Sequence, residues 1–239
     1  MTVRIAMWSG PRNISTAMMR AWENRRDCEV VDEPLYAHYL DQTKSPHPGF
    51  DDVLAAQSTD WRTVTEALRG EPPGRAPVWY QKHMTHHMLP DVGRRWLADV
   101  VNVFLIRDPV AVVASYVKRR GEATLEDIGF PQQAALFDYV TDELGCPPLV
   151  VDSADVLAAP EETLRRLCAA VGVPFTDRML GWPAGRRDSD GVWAEHWYAA
   201  VEASTGFGPG SPAPESLPPA LQAVADAARP HYEKLKAFA

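Results

Sequence analysis

The sequence predicts an α/β protein built as three layers, with a parallel β-sheet between two layers of helices. Short apolar runs alternate with amphipathic segments along most of the chain. The run at residues 100–106 is apolar apart from Asn102, which is typical of a strand covered on both faces. With 239 residues, of which 46% are hydrophobic, the chain can bury a large core, and we expect a single domain over residues 1–239.

The individual elements follow from the spacing of apolar residues and from the turn-forming residues between them. Strands are predicted at residues 3–8, 29–31, 78–81, 100–106 and 149–151. Helices are predicted at residues 16–24, 110–120, 160–171 and 218–237. Between these elements we expect helices and loops over 34–76, a loop over 121–135, and a long lid-like loop over 181–212.

The overall charge argues against nucleic acid and acidic membranes as partners. The formal net charge is −8, so any anion-binding patch must be local. The three cysteines are far apart, and we expect reduced thiols and a cytoplasmic location. The apolar residues 3–8 are too few for a signal peptide, and no apolar run approaches the ~20 residues of a membrane span.

The turn at residues 9–13, with the sequence SGPRN, joins the first strand to the first helix. Backbone N–H groups at a helix N-terminus bind anions, and Arg12, Ser15 and Thr16 can add donors. The turn lacks the Gly-Lys-Ser/Thr ending of an ATP-binding loop. The alternative is a capped helix without a ligand, in which Asn13 or Ser15 is the N-cap.

A second anion site is indicated where the fourth strand ends. Arg107 follows this buried strand, and Ser115 lies eight residues on, about two turns along a helix that starts at Pro109. An arginine fork and a hydroxyl can together bind a phosphate. The alternative is that Arg107 pairs with Asp108 or Asp152 while Ser115 is a small packing residue.

These segments are expected to lie close together. In a parallel sheet, ligands bind outside the carboxyl ends of the strands. Residues 9–16, 32–38 and 107–119 each follow a predicted strand, and Lys82 follows the third. The sequence therefore predicts one site at this edge of the sheet.

Three stretches resemble the sulfotransferases that use 3′-phosphoadenosine-5′-phosphosulfate (PAPS). Residues 9–22, SGPRNISTAMMRAW, are similar to that family's 5′-phosphosulfate loop, and residues 103–120, VFLIRDPVAVVASYVKRR, to its 3′-phosphate motif. Residues 150–175, VVDSADVLAAPEETLRRLCAAVGVPF, resemble the stretch that follows in the family. The resemblance covers most of residues 3–175. It implies a P-loop NTPase-like sulfotransferase fold, PAPS as the co-substrate, and no metal.

The resemblance also implies roles for individual residues. The 5′-phosphosulfate would lie in the loop formed by Gly10, Pro11, Arg12, Asn13, Ile14, Ser15 and Thr16. Arg12 would donate to the 5′-phosphate and the bridging oxygen, while Arg107 and Ser115 would bind the 3′-phosphate. Ile14 stands where the family commonly has glycine. The family's Arg-Lys-Gly lid is absent in that form, and its nearest analogue is Gly185-Arg186-Arg187.

Sulfuryl transfer needs a base for the acceptor proton and cations for the leaving phosphate. Glu33 resembles the glutamate base of carbohydrate-type sulfotransferases, and His38 is the second candidate. The alternatives for Glu33 are a helix cap or a partner of Arg12. Lys82 stands where many sulfotransferases have a lysine that could contact the bridging oxygen, and a solvated lysine is the alternative.

Two further groups of side chains are less informative. Three histidines at positions 83, 86 and 87 have helical spacing but no evident carboxylate partner, so no metal site is predicted. The tail carries several aromatic rings, which would form either a packed cover or a lid over the acceptor or nucleotide. These tail rings belong to Trp193, His196, Trp197, Tyr198 and Phe207. Trp8 and Trp22 are expected in the core.

The sequence therefore predicts a PAPS-dependent sulfotransferase that acts on a hydroxyl or amine of a small-molecule or glycan-like acceptor. One alternative is a non-catalytic nucleotide-binding protein of the same fold. The other is a P-loop kinase or nucleotide hydrolase, against which the missing Gly-Lys-Ser/Thr weighs. The identity of the acceptor is not predicted, because variable loops build acceptor pockets. The sequence also does not distinguish a monomer from a homodimer.

Overall fold

Five parallel strands form the centre of the fold, in the order β2-β3-β1-β4-β5. A computed structural model describes residues 2–146, 149–210, 214 and 216–239. The strands are β1 Val3–Ser9, β2 Cys28–Asp32, β3 Val78–Met84, β4 Val101–Ile106 and β5 Leu149–Asp152. This parallel sheet flanked by helices confirms the predicted α/β class.

Helices cover both faces of the sheet. They are α1 Ser15–Glu23, α2 Tyr36–Thr43, α3 Phe50–Ala56, α4 Trp61–Arg69, α5 Pro109–Arg120, α6 Phe130–Asp138, α7 Ser153–Ala158, α8 Pro160–Ala170, α9 Ala194–Trp197, α10 Ala199–Glu202 and α11 Pro219–Lys236. Short 3-10 turns lie at Pro73–Arg75, Thr85–His87, Arg95–Asp99 and Asp177–Leu180, and a π-helical turn at Tyr139–Glu143.

The apolar residues of β1 alternate between two cores. Ile5 and Met7 pack with α1 and α8 on one face, whereas Ala6 and Trp8 pack with α5, α6 and α11 on the other. Both Trp8 and Trp22 are fully buried, as expected. Alternation along a strand places successive side chains on opposite faces, so each core needs its own layer of helices.

Three sequence-based predictions need correction. Residues 130–138 form α6 where a loop was predicted, because buried Phe130, Leu136 and Phe137 pack into the core beside α11. Strand β3 continues to Met84 through polar residues that are themselves buried and hydrogen-bonded. The segment 181–212 contains α9 and α10 within the part that is described; its residues 211 and 212 lie outside the described residues.

The strand order reverses direction at β1. From β1 the chain proceeds to β2 and β3 on one side, and then crosses to β4 and β5 on the other. Such a reversal leaves a crevice between the loops that follow neighbouring strands, here β1 and β4. Among the described residues, no helix combines the length and apolarity that crossing a bilayer requires.

Candidate active site

A cavity of about 500 Å³ opens at the carboxyl ends of the strands. Its lining includes the loop after β1 (residues 11–14), Glu33 after β2, Lys82 of β3 and Arg107 after β4. The C-terminal segment closes one side through residues 197, 198, 200, 201 and 206–210. The structure thus brings the predicted segments to one edge of the sheet.

The loop after β1 is held against the sheet by its own side chains. Asn13 is buried and its Nδ2 donates to the carbonyl of Leu105 at 2.6 Å, so Asn13 is not an N-cap. The N-cap of α1 is Ile14, whose φ of 44° is in the left-handed region. A Cβ on Gly10 would lie 2.5 Å from the carbonyl oxygen of Ile128, so only glycine fits there.

Two arginines meet on this loop. The Nη1 of Arg107 donates to the backbone carbonyl of Arg12 at 2.5 Å, and the Nε of Arg12 donates to Oγ of Ser115 at 3.0 Å. Burial, followed by the nearby charges of Arg119 and Arg107, lowers the pKa of Arg12. Burial also lowers the pKa of Arg107. We call Arg12, Arg107, Ser115 and Arg119, which all line the cavity, the cationic half.

The two carboxylates that could have neutralised Arg107 have other partners. Asp108 caps α5 by accepting from two backbone N–H groups and also accepts from Arg229 at 2.7 Å. Asp152 accepts from Tyr232 at 2.7 Å and lies 3.0 Å from Nζ of Lys236. Among the described residues, neither Arg12 nor Arg107 forms a salt bridge. Arg12 and Arg107 are therefore half-buried guanidinium groups without a direct ion pair in the described part of the chain, although the charges of Asp108 and Asp152 still act on Arg107.

Lys82 lies at the centre of a buried charge cluster. Its register opposite Asp32 in the sheet places Nζ 2.7 Å from Oδ1 of Asp32, and Nζ is 2.5 Å from Oε1 of Glu33. Only 1% of Lys82 is exposed, so the solvated lysine considered from the sequence is wrong. The hydroxyl of Tyr198 accepts a third N–H of Lys82 at 2.8 Å.

Glu33 faces the cavity from the end of β2. Its φ of 42° turns the chain sharply after the strand, and its backbone N–H donates to the carbonyl of Lys82. Burial raises the pKa of Glu33, the charge of Lys82 opposes this rise, and Asp32 adds to it. A carboxyl with a raised pKa that lines a cavity is typical of a general base or acid.

The other half of the cavity is built from rings. Tyr36 and Tyr39 stack on His87, with centroids 4.6 Å and 4.8 Å away, and His86 meets His87 edge-on at 4.5 Å. The hydroxyl of Tyr36 lies 2.5 Å from Nδ1 of His47. We call Tyr36, Tyr39, His47, His86 and His87 the ring half.

The histidines of the ring half are neutral at pH 7. Burial is the main cause, and it lowers the pKa of His47 to about 4 and that of His86 to about 3. The pKa of His87 is also lowered far below its ordinary value, again chiefly by burial. Within the described part of the chain, no group of three or more His, Cys, Asp or Glu side chains could hold a metal ion.

Four predicted site residues are not part of the cavity lining, namely Gly10, His38, Arg186 and Arg187. In His38, the second candidate base, Nδ1 is hydrogen-bonded to the carbonyl oxygen of Thr59 at 2.9 Å, and Nε2 lies 3.3 Å from Oδ2 of Asp91. These contacts direct His38 away from the cavity lining. Arg187 donates to the carbonyl of Pro183 at 3.1 Å. Neither Arg186 nor Arg187 is in the lining, so the C-terminal segment contacts the cavity through its rings and not through these cations.

A family model described as "Sulfotransferase domain" matches residues 3–239. The chain belongs to this sulfotransferase family. Two solved structures share the fold at low sequence identity. A sulfotransferase from Alicyclobacillus acidocaldarius has a TM-score of 0.58 and 12% identity, covering 100% of this chain and 96% of that one. The sulfotransferase domain from the curacin biosynthetic pathway has a TM-score of 0.53 and 15% identity, covering 95% of this chain and 97% of that one.

Curated relatives of this family member carry a different name. Branched-chain-amino-acid aminotransferase-like protein 1 of Arabidopsis thaliana is 33% identical over 233 residues, which is 97% of this chain. Protein 2 of the same name and organism is 32% identical over 215 residues, or 90% of this chain. The chain spans only 41% and 38% of the lengths of these two relatives.

The sequence-based predictions assigned no role in the site to Asp32, Tyr36 or Tyr39, and they included Tyr198 only among the rings of a packed cover or lid. Asp32 directly precedes Glu33 at a strand end, and this adjacency could have indicated a shared partner. Nothing in the local sequence links Tyr198 to Lys82, since 116 positions separate them. Tyr36 and Tyr39 follow Glu33 at helical spacing, but that pattern is also typical of ordinary packing.

Proposed function

We propose that this chain transfers a sulfuryl group from PAPS to a hydroxyl or amine of a small acceptor. The observation that carries the proposal is the pair Arg12 and Arg107, two half-buried guanidinium groups that line one cavity without a salt bridge among the described residues. Burying cations without counter-ions is costly. A ligand with two anionic ends would neutralise both, and the family membership makes PAPS the natural one.

The nucleotide would lie across the ends of β1 and β4. Its 5′-phosphosulfate would meet the loop after β1, with the N-terminus of α1 and Arg12 as donors. Its 3′-phosphate would meet Arg107 and Ser115. Arg12 donates through Nε to Ser115 and is thereby oriented toward the shared space between the two anionic ends.

The transfer step would use Glu33 as the base. The acceptor oxygen or nitrogen attacks sulfur in line while the bond between sulfur and the bridging oxygen breaks, and its electron pair stays on the 5′-phosphate. The acceptor proton passes to Glu33, whose Oε1 is held by Lys82. All three N–H donors of Lys82 already have protein partners, so we assign Lys82 to Glu33 and assign the leaving oxygen to Arg12.

The aminotransferase-like names of the plant relatives belong to proteins more than twice as long as the part that this chain matches. The chain matches less than half of either relative, and the family model that matches residues 3–239 describes a sulfotransferase domain.

Calorimetry with 3′-phosphoadenosine-5′-phosphate (PAP), ADP and ATP tests nucleotide recognition. We expect PAP to bind more tightly than ADP, because only PAP carries the 3′-phosphate that meets Arg107. The Arg107→Ala variant should lose about 2 kcal/mol or more of PAP binding, roughly a 30-fold weaker Kd, because a charged hydrogen-bond partner is removed. Arg26→Ala, which removes an exposed arginine outside the cavity, is the matched control. Equal affinity of the wild type for PAP and ADP would contradict the proposal.

Turnover in the Glu33→Gln variant tests the base. The amide keeps the shape and the contact with Lys82 but cannot take a proton, so we expect turnover to fall about 10²- to 10⁴-fold while PAP affinity is retained. His38→Gln is the control that separates the two candidate bases, and it should keep turnover because His38 lies away from the cavity lining. An active Glu33→Gln enzyme would remove Glu33 from the mechanism.

A further inference from the structure

We propose that Tyr198 is a positioning residue that holds Lys82 against Glu33, so that the C-terminal segment completes the catalytic base. This inference rests on the proposed role of Glu33 as the base. Tyr198 belongs to none of the three motifs that the sequence shares with PAPS sulfotransferases. It lies at the end of α9, and its hydroxyl contacts Lys82 and Asp32 of the buried charge cluster.

The hydroxyl of Tyr198 uses its full hydrogen-bonding capacity. It donates to Oδ2 of Asp32 at 2.7 Å, and it accepts from Nζ of Lys82 at 2.8 Å and from Nε1 of Trp193 at 3.2 Å. A phenol has one donor and two acceptor lone pairs, so this arrangement fixes the orientation of its proton. The donated proton must point to Asp32, and both lone pairs must face the donors.

Lys82 is saturated in the same way. Its three N–H groups reach Oδ1 of Asp32, Oε1 of Glu33 and the hydroxyl of Tyr198. Without the tyrosine, a fully buried ammonium would be left with one unsatisfied donor, which is costly in the protein interior. The ammonium would then be free to shift between its two carboxylates.

The segment that carries Tyr198 is anchored before it reaches the cluster. Asp190 forms a fully buried ion pair with Arg20 of α1 at 2.6 Å. The backbone N–H of Gly191 donates to Oδ2 of Asp32 at 3.2 Å, the same oxygen that accepts from Tyr198. These two contacts fix the C-terminal segment to α1 and β2 shortly before Tyr198.

Glu33 is surrounded by groups from each element that packs on it. Asp32 of β2 and Lys82 of β3 are nearest, Tyr36 faces it from α2, and Tyr198 closes the C-terminal side. The neutral His83 and His87 lie beyond Lys82. Removing the hydroxyl of Tyr198 takes a donor from Asp32, which then attracts Lys82 more strongly. Glu33 loses part of the interaction that favours its charged form, so its pKa rises.

The Tyr198→Phe variant tests this directly by a measurement that needs no turnover. In protein labelled with ¹³C at glutamate carboxyl groups, the resonance of Glu33 is the one missing from Glu33→Gln. We expect its titration midpoint to rise by at least about half a pH unit in Tyr198→Phe. Tyr139→Phe, a tyrosine outside the cavity, is the control and should leave the midpoint unchanged. A midpoint equal to that of the wild type would overturn the inference.

Kinetics and a second variant complete the test. In Tyr198→Phe, the acid limb of the kcat profile should move to higher pH by the same amount, with PAP affinity kept within about twofold. If Tyr198→Phe fails to fold, Trp193→Phe can be measured in its place, because it removes one of the donors that orient the hydroxyl of Tyr198. The titration midpoint of Glu33 should then rise by a smaller amount. An unchanged midpoint in Trp193→Phe would overturn the inference. If Tyr198→Phe shifts the midpoint but Glu33→Gln stays active, the base role of Glu33 fails and the positioning by Tyr198 stands.

Discussion

The two halves of the cavity differ in charge and in how their side chains are held. The cationic half presents charged donors that have few protein partners and no salt bridge for Arg12 or Arg107 among the described residues. The ring half presents neutral side chains that stack on one another, with His87 between Tyr36 and Tyr39. Glu33 and Lys82 lie in the lining between them.

Under the proposed function, this difference separates two tasks within one cavity. Fixed cations without an ion pair are suited to binding one particular polyanion, such as a nucleotide with a phosphate at each end. A neutral wall of packed rings offers apolar area and a few polar edges, and it suits an acceptor that is recognised by shape. Recognition of charge and selection of the acceptor can then vary independently.

The largest effect expected from this contrast is acid destabilisation that originates in the ring half. The folded protein keeps His47 neutral down to a pKa of about 4 and His86 to about 3, whereas unfolded histidines bind protons below about pH 6.5. Between these values the unfolded state binds more protons, so stability falls as the pH falls. Each such histidine should cost about 3 kcal/mol by pH 4, measured by urea unfolding at a series of pH values.

Substituting one histidine of the ring half should make the free energy of unfolding depend less steeply on pH. His86→Gln removes one titrating ring, and the slope between pH 6 and 4 should decrease by about 1.4 kcal/mol per pH unit. Tyr39→Phe alters the same ring half without removing a group that titrates in this range, so it should keep the wild-type slope. If both variants give the same slope, the ring half is not the source of acid sensitivity.

A smaller effect is expected from salt, and it should act only on the cationic half. Arg12, Arg107 and Arg119 are partly open to solvent, so their attraction for phosphates is screened as ionic strength rises. Raising the salt from 0.05 M to 0.5 M should weaken PAP binding by about 1 kcal/mol, or about fivefold in Kd. Calorimetry measures this. The same change in salt should leave the slope of stability between pH 6 and 4 nearly unaltered, because His87 is buried and His47 and His86 are largely shielded from solvent.

The contrast also explains what the sequence could predict. The cationic half comes from loops that directly follow strands, and in a parallel sheet the carboxyl ends of strands share an edge, so Arg12, Arg107 and Ser115 could be brought together from the sequence. Lys82 was predicted at the correct edge, as a contact of the bridging oxygen, with a solvated lysine as the alternative. It is buried because Asp32 lies opposite it in the sheet register, and a single sequence does not reveal strand order.

The ring half and its surroundings were less predictable for a physical reason. Its residues come from α2, from the 3-10 turn after β3 and from the loop before α3, and their contacts depend on tertiary packing. The histidines were considered together as metal ligands on a helix, whereas His83 is in β3 and stacks on Trp8 at 4.3 Å. Tyr198 reaches Asp32 across 166 positions, which no local pattern encodes.

The smallest effect we predict concerns the backbone of the loop after β1. Ile14 adopts φ 44°, where a Cβ costs about 1–2 kcal/mol, although the family commonly has glycine at this position. Ile14→Ala and Ile14→Gly both remove the isoleucine side chain, so their difference isolates the cost of the Cβ. We expect Ile14→Gly to be more stable than Ile14→Ala by about 1 kcal/mol in urea unfolding at pH 7.

At a helical position beside the ring half, we expect glycine to have the opposite effect on stability. Ala37 is buried within α2, where glycine is less favourable than alanine, so Ala37→Gly should lower stability by about 1 kcal/mol or more. Glycine would then stabilise the loop of the cationic half and destabilise the helix of the ring half. If alanine were preferred at both positions, the left-handed turn at Ile14 would carry no strain, and the hydrogen bonds of Asn13 and Arg107 would suffice to fix the loop after β1.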